Sequence, residues 1–124
     1  MNLIDVVCGV IYNSKNQILI TQRGDKKFHG KWEFPGGKVE KNEDKFNSIK
    51  REILEELGII INPMEILFEY PHGNFNLIFV ECLHVKGEVI LNEHLSSKWI
   101  NIEEINKEEF LDGDKKFIQK FINP

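Results

Sequence analysis

Short runs of aliphatic and β-branched residues alternate with polar, glycine-containing segments along most of the chain. The run "LIDVVCGVIY" is typical of a buried strand, "NSKN" predicts a turn and "QILITQR" predicts the returning strand, so residues 3–23 are expected to form a hairpin. Further on, "IIINPMEILFEYP" and "NFNLIFVECLHVKGEV" predict strands joined at "HGN", and "SSKWINI" predicts one more. Between these regions, "GDKKFHGK" predicts a loop and "WEFPGGKVE" a short extended segment interrupted by glycine.

Two segments change from the strand period to the helical period. From about Glu43 to Leu57 the apolar residues recur three and four positions apart, with Asn42 as the expected N-cap and Gly58 as the expected stop. The segment "GDKKFIQKFI" has the spacing of an amphipathic helix that closes the fold. Strands outnumber helices, and the two helices flank them. The pattern therefore predicts an α/β sandwich with a mixed sheet.

Composition limits the class of protein and its partners. The 124 residues suffice for one domain, residues 1–124, and not for two. No apolar run approaches the ~20 residues of a membrane span, and the N-terminus, with Asp5 in its first apolar stretch, does not resemble a signal peptide. A net charge of −4 argues against a protein that coats a nucleic acid polymer. Cys8 and Cys82 are predicted to be buried free thiols in a reducing cytoplasm.

The first predicted helix has three carboxylates beside its apolar stripe. At about 100° per residue, Glu55 and Glu56 lie within roughly 60° of Glu52. The carboxylates are therefore expected at the border of the buried surface and not on the opposite side of the helix. The adjacent apolar stripe, which should pack on the sheet, consists of Phe46, Ile49, Ile53 and Leu57.

Two explanations of this acidic cluster compete. Glutamate is a good helix former, and a solvated face is the common reason for a glutamate-rich helix. Like charges three and four residues apart destabilise a helix, and Glu56 occupies the position where a lysine would pair with Glu52. A divalent cation would turn this repulsion into binding, and carboxylate oxygens suit Mg²⁺ or Mn²⁺. Such an ion would also let an acidic protein bind a phosphate-bearing small molecule.

A longer motif contains this helix. From Gly37, the segment "GKVEKNEDKFNSIKREILEELGI" has Glu43 after five residues and, after seven more, Arg-Glu-Ile-x-Glu-Glu-x-Gly-Ile. These residues fill every position of the Nudix box, and the order of strands also resembles the Nudix hydrolases along nearly the whole chain. The resemblance implies an α/β/α sandwich with a mixed sheet between helices. It also implies cleavage of a nucleoside diphosphate that is linked to another group.

The resemblance further implies a metal site and its chemistry. Glu52, Glu55 and Glu56 would bind Mg²⁺ (or Mn²⁺) with the help of the Gly36 carbonyl. Glu52 corresponds to the general base proposed for the family, whose members differ at this point. Glu93, in "NEHLSSKW", resembles a further acidic ligand or base that some members have on a loop, and a plain surface glutamate is the alternative.

Other positions of the box have structural roles in the family. Arg51 would pair with Glu43 and brace the site without contacting the substrate. Gly37 would allow the loop to turn tightly, and Gly58 would end the helix.

The stretch "GKWEFPGGKVE" and the opening hairpin resemble the MutT-type subgroup of the family. These enzymes hydrolyse nucleoside triphosphates to monophosphate and pyrophosphate, and some remove oxidised nucleotides such as 8-oxo-dGTP. The resemblance implies that Arg23 contacts the phosphate or sugar side of the nucleotide, that Phe34 lines the base pocket and that Lys38 contacts phosphate. The alternatives are a solvated strand end, a core phenylalanine and a surface lysine.

The segment "FLDGDKKFI" lies where MutT-type enzymes have an Asn or Asp that contacts the base edge. Asp114 matches this place best, Asp112 is an alternative, and a helix cap is the structural explanation. An aspartate suits a donor-rich base edge if one partner carries a proton, and it weakens a transfer of strict 8-oxo-guanine selectivity. Some relatives also have an arginine near Gly73, where this chain offers only the loop residue His72.

Several substrates and one non-enzymatic function stay open. A similar subgroup hydrolyses cytidine nucleotides such as CTP or 5-methyl-dCTP, and other family members act on ADP-ribose. A nucleotide-binding module without turnover is a further alternative, which the intact glutamate cluster disfavours. The predicted assembly is a monomer or a homodimer.

Overall fold

The computed structural model describes residues 2–123, which form a seven-stranded mixed sheet with helices on its two faces. None of the helices in this range is long and apolar enough to cross a membrane. The strands are β1 (Ile4–Tyr12), β2 (Ile18–Gln22), β3 (Trp32–Glu33), β4 (Gly36–Lys38), β5 (Ile60–His72), β6 (Phe75–Lys86) and β7 (Ser96–Ile100). The helices are α1 (Lys45–Leu57), a 3₁₀ helix (Ile102–Lys107), α2 (Asp112–Phe117) and a π-helical segment (Ile118–Ile122).

The sheet divides along one edge of β1. Strand β6 pairs in parallel with the whole length of β1. On the other edge, β4 pairs antiparallel with Val6–Cys8, whereas β2 pairs only through Tyr12 and Ile18. The predicted hairpin is confirmed, but its strands separate beyond the turn, and β3 and β7 continue the sheet from β2. This separation creates the space in which the candidate site lies.

The predicted sandwich is confirmed by two apolar clusters on opposite faces of the sheet. On one face, Ile49, Ile53 and Leu57 of α1 are fully buried against the sheet. On the other face, Phe117 and Ile118 pack with an aromatic cluster. The two cysteines are buried and free, as predicted, with Cys8 in the second cluster and Cys82 in the first.

Helix α1 begins later than the sequence pattern indicates. Asp44, in extended backbone, is the N-cap and accepts a hydrogen bond from the Asn47 N–H at 2.7 Å. The predicted cap Asn42 has φ 65° and lies outside the helix, so the predicted start at Glu43 is wrong by two residues. The C-terminus is as predicted, because Gly58 has φ 68° and donates its N–H to Leu54 O at 3.0 Å.

Two further expectations about the helices need correction. Phe46 is 37% exposed, because it lies one turn beyond the part of α1 that covers the sheet. The predicted C-terminal helix is divided between α2 and the π-helical segment, in which Phe121 is exposed. The 3₁₀ helix that precedes it has no strong apolar period and was not predicted.

Candidate active site

A cavity of about 570 Å³ opens where β4 separates from β2. Its walls come from β1, β3, β4, the end of β5, the start of β6, the end of α1, the loop after β2, the loop before β7 and the start of α2. The sequence therefore identified residues that are distant along the chain and meet at one place. The predicted residues among its lining are Arg23, Phe34, Gly36, Gly37, Lys38, Glu56, His72, Glu93, Asp112 and Asp114.

Arg51 forms a dense set of hydrogen bonds beside this cavity. Its guanidinium donates to both carboxylate oxygens of Glu43, at 2.7 and 2.9 Å. Nη1 also donates to Glu52 at 2.8 Å and to Glu55 at 3.3 Å, and Nη2 donates to the Lys38 carbonyl at 3.2 Å. The hydrogen bond from Arg51 lowers the pKa of Glu43 to about 2. Arg51 therefore relieves part of the repulsion between Glu52 and Glu55, which the spacing of the acids did not predict, although burial still raises the pKa of Glu52.

Glu56 lies outside the reach of Arg51 and has the opposite electrostatic environment. Burial raises its pKa to about 8, and the charges of Glu52, Glu33 and Glu93 add to the effect. Its buried Oε2 has no hydrogen-bond partner within residues 2–123. A buried, unpaired carboxylate oxygen among other carboxylates is the environment that a divalent cation stabilises.

Gly36 and Gly37 let the backbone approach two neighbours closely. Neither residue lies in a turn, because both belong to β4, so the expected tight turn at Gly37 is wrong. A Cβ at Gly37 would overlap the carboxylate of Glu52, and a Cβ at Gly36 would overlap the carbonyl of Val7. Glycine is required at Gly37 so that the carboxylate of Glu52 can lie directly against β4.

The loop before β7 is attached to the C-terminus of α1. The N–H groups of Ile90 and Asn92 donate to the carbonyls of Leu57 and Glu56, at 2.9 and 3.3 Å. The Asn92 side chain donates to the Glu55 carbonyl at 2.7 Å. These bonds satisfy helix carbonyls that have no partner in the helix, and they bring Glu93 to the cavity. Its charge raises the pKa of Glu56, so Glu93 is more than an isolated surface glutamate.

The donor set fits a hard divalent cation, although its members are not gathered around one point. Within residues 2–123, no three His, Cys, Asp or Glu side chains converge into a ready-made cage. Glu52 and Glu55 bond to Arg51, whereas Glu56 lines the cavity together with Glu33 and Glu93. The unpaired oxygen of Glu56 and the purely carboxylate chemistry nevertheless match the preference of Mg²⁺ or Mn²⁺.

Arg23 is held more firmly than a solvated strand end. Its guanidinium donates to both oxygens of Asp25 at 3.0 and 3.1 Å and to Glu33 at 3.1 Å. It also lies over the ring of Phe28, 5.4 Å from the centroid. These contacts place Arg23 at the cavity wall with its charge compensated by two carboxylates, and its role toward a nucleotide stays a prediction.

Phe34 and Lys38 occupy different parts of the cavity wall. The Phe34 ring is only 2% exposed, stacks on Phe110 at 5.4 Å and meets Phe117 edge-on at 5.5 Å. It is therefore a core residue that also closes the cavity. Lys38 is exposed at the wall, with Nζ 5.9 Å from the centroid of the Phe75 ring.

Asp114 is buried at the start of α2 and contributes to the cavity. Its Oδ2 accepts the N–H of Phe34 at 2.8 Å. Burial, followed by the charge of Glu33, raises its pKa well above the ordinary value. In the described chain α2 has Leu111 as its N-cap with no side-chain cap bond, so the helix-cap explanation of Asp114 is wrong. Asp112, whose side chain is 82% exposed, has a far more solvated position.

Sequence reasoning missed Glu33 and His94. Glu33 accepts hydrogen bonds from Arg23 on Oε1 and from the His94 ring on Oε2, the latter at 2.7 Å. A signal for Glu33 was available, because it lies between the buried aromatic residues Trp32 and Phe34 and must face the other side of the strand. His94 gave no such signal, because its partner is 61 residues away in the sequence.

Comparisons with known proteins give a family match and relatives that cover nearly the whole chain. A family model described as the NUDIX domain matches residues 2–121. The 8-oxo-dGTP diphosphatase of Haemophilus influenzae is 32% identical to this chain, over 98% of the chain and 93% of that protein. The CTP pyrophosphohydrolase of Escherichia coli is 28% identical, over 98% and 93% respectively. The crystal structure of the MutT protein from Methanosarcina mazei superposes with a TM-score of 0.77 at 27% identity, over 98% of this chain and 94% of that one.

Proposed function

Since this chain belongs to the Nudix hydrolase family, we propose that it hydrolyses (deoxy)nucleoside triphosphates to the monophosphate and pyrophosphate, with 8-oxo-dGTP as the preferred substrate. The 8-oxo-dGTP diphosphatases that resemble it over nearly its whole length support this choice. The observation that carries the proposal is the unpaired, buried carboxylate oxygen of Glu56 at a cavity of nucleotide size.

The residues that would hold Mg²⁺ (or Mn²⁺) are Glu52, Glu55, Glu56 and Glu93, with the Gly36 carbonyl. When bound, the ion would neutralise an anionic phosphoanhydride and acidify water. The chain itself fixes the acids around this place. Arg51 bonds to Glu52 and Glu55, and Asn92 bonds to the last turn of α1 beside Glu93.

Glu52 is the proposed general base. It would take a proton from the attacking water while the water oxygen bonds to phosphorus and the phosphoanhydride bond breaks, so that pyrophosphate leaves. Its carboxylate is held against Gly37 on one side and by Arg51 on the other. Such fixation suits a group that must meet a water molecule in one orientation.

The opposite wall of the cavity would bind the nucleoside. Asp114 contributes a buried carboxyl group whose Oδ2 is occupied by the Phe34 N–H, which leaves Oδ1 for the base edge. Arg23 and Lys38 are proposed to contact the phosphate or sugar side, and the Phe34 ring closes the base pocket from below. The cavity therefore separates a phosphate side near α1 from a base side near α2.

A cytidine nucleotide such as CTP or 5-methyl-dCTP is the second candidate substrate. Asp114 is compatible with it, because a carboxylate oxygen accepts a hydrogen bond from the exocyclic amino group of cytosine as it does from that of guanine. The similarity to a CTP pyrophosphohydrolase supports the same candidate.

A substrate panel with Mg²⁺ tests both proposals through pyrophosphate release from 8-oxo-dGTP, dGTP, CTP, dCTP and 5-methyl-dCTP. The first proposal expects the highest kcat/KM for 8-oxo-dGTP, and the second for a cytidine nucleotide. ADP-ribose belongs in the same panel. If ADP-ribose were the best substrate, both proposed substrate classes would be contradicted. The Glu56→Gln protein is the control for contaminating hydrolases.

A further inference from the structure

His94 is the most deeply buried polar side chain of the loop that carries Glu93. Its side chain is only 6% exposed and lines the cavity. The ring Nε2 lies 2.7 Å from Glu33 Oε2, while Nδ1 is buried without a hydrogen-bond partner within residues 2–123. Glu33 is therefore the one polar anchor of this ring in the described chain.

Glu33 in turn joins two sides of the cavity. Its Oε2 accepts from His94 and its Oε1 accepts from Arg23, so one carboxylate bridges the loop before β7 and the end of β2. Arg23 has a second, two-point attachment to Asp25 and does not depend on Glu33 alone. The turn at Glu93 and His94, by contrast, reaches β3 through the His94 ring.

The backbone attachments of this loop go to the end of α1 and to β2. Ile90 and Asn92 bond to the end of α1, and the Leu95 N–H bonds to the Gln22 carbonyl at 2.9 Å. Between these backbone bonds, the exposed Glu93 side chain is flanked by two anchored side chains, Asn92 on the Glu55 carbonyl and His94 on Glu33, and only His94 reaches β3. Fixing His94 therefore limits the positions that Glu93 can adopt.

We propose that His94 is a positioning residue that, through its hydrogen bond to Glu33, holds the Glu93 turn against the cavity for the hydrolysis step. This inference rests on the proposed function, in which Glu93 is an acidic residue of the active site. A misplacement of about 1 Å in such a group lowers catalytic rates by up to ~100-fold. The effect should appear in kcat and less in KM, because Arg23 keeps its bonds to Asp25.

Two substitutions of His94 distinguish the contribution of its hydrogen bond to Glu33 from the contribution of its ring shape. His94→Phe keeps a flat ring and removes the donor, whereas His94→Gln keeps a donor for Glu33. We expect kcat to fall roughly tenfold in His94→Phe, with most of it retained in His94→Gln. His29→Phe, at an exposed loop position, is the matched control and should keep the wild-type kcat. A wild-type kcat for His94→Phe, or equal losses in both variants, would contradict the proposal.

A double-mutant cycle tests the link between the two residues. If His94 acts through Glu33, the double variant Glu33→Leu/His94→Phe should have a kcat less than about twofold below that of Glu33→Leu alone. Losses that are independent and additive would overturn the proposal. A proton NMR signal from the His94 ring N–H should be visible in the wild type and move or disappear in Glu33→Leu. An unchanged signal would likewise refute the link. If the wild type hydrolyses no nucleotide, the proposed function fails, while this signal still decides whether the Glu33–His94 bond exists.

Discussion

Two groups of carboxylates beside α1 have the same chemistry and opposite surroundings. Glu43, Glu52 and Glu55 share the guanidinium of Arg51, which we call the Arg51 group. Glu56, Glu33 and Glu93 form what we call the Glu56 group, in which burial, followed by the charges of Glu52, Glu33 and Glu93, raises the pKa of Glu56 to about 8. The first group is a brace that positions side chains. The second concentrates negative charge at a cavity, which is a condition for binding a divalent cation.

The difference shows that the count of acidic residues does not locate a metal site. An arginine with five donors can satisfy several carboxylates at once, so Glu52 and Glu55 keep less uncompensated charge than Glu56 while they stay available as metal ligands. The acid beyond its reach is the one that needs another positive charge. The following predictions break each group in turn.

The largest expected effect comes from the Glu56 group. Glu56→Gln removes the unpaired carboxylate and should lower kcat by about 10³-fold, because the charge that would hold the metal ion in the transition state is lost. The protein should stay folded, because glutamine has nearly the same shape and leaves the packing unchanged. Steady-state kinetics with Mg²⁺ and a thermal unfolding curve check this. Glu65→Gln, an exposed change on β5, is the control. Near-normal turnover by Glu56→Gln would show that the metal assignment is wrong.

Glu55→Gln sharpens the same comparison. Glu55 is exposed and already bonded to Arg51, so its loss should lower kcat less than that of Glu56, by about 10²-fold. The two variants should be measured at the same Mg²⁺ concentration. A larger loss of kcat in Glu55→Gln than in Glu56→Gln would mean that Arg51 does not shield Glu55.

Breaking the Arg51 group should affect both activity and stability. Arg51→Lys cannot reproduce the paired bonds to Glu43 together with those to Glu52 and Glu55. We expect a roughly tenfold to hundredfold lower kcat and an unfolding free energy lower by about 1–2 kcal/mol. Denaturant unfolding and kinetics measure the two effects, with exposed Lys50→Ala as the control. Full activity in Arg51→Lys would exclude a positioning role for the brace.

Gly37→Ala isolates the position of one carboxylate. The new methyl group meets the flexible end of Glu52, so we expect roughly tenfold lower kcat with little change in Tm. Gly36→Ala meets the Val7 carbonyl instead and should lower Tm strongly. If Gly37→Ala retains wild-type kcat, contact between Glu52 and β4 does not matter for hydrolysis.

The smallest expected effect is on the pH dependence of stability. The pKa of Glu43 lies at about 2 instead of 4.5, so its contribution to stability is present above pH 4.5 and is lost as the pH falls toward 2. Glu43→Gln should flatten the unfolding free energy in this range. Glu103→Gln, an exposed change in the 3₁₀ helix, should leave the curve unaltered. Parallel curves for wild type and Glu43→Gln would rule out the Arg51 pairing in solution.

The sequence predicted those features that depend on local period and on a continuous motif. The sheet, the buried stripe of α1 and the stop at Gly58 follow from period and capping, and the resemblance to the Nudix box selected Glu56, which lines the cavity. The hydrogen bonds by which Arg51 reduces the repulsion between Glu52 and Glu55 were not predicted, because only the fold shows which carboxylates one guanidinium can reach. The partnership of Glu33 and His94 needs β3 and the loop before β7 to meet at the end of β2, which no local pattern encodes.

The central claim is that Glu56 is the uncompensated acid of a divalent cation site, and the effect of Mg²⁺ on thermal stability at pH 8 tests it most directly. Because the pKa of Glu56 rises from 4.5 to about 8 on folding, the metal-free protein loses stability as the pH rises through this range, by ~2 kcal/mol after allowance for solvent screening. Mg²⁺ should therefore raise the Tm of the wild type by several degrees and leave that of Glu56→Gln nearly unchanged. Equal Mg²⁺-induced shifts in the two proteins would contradict the account.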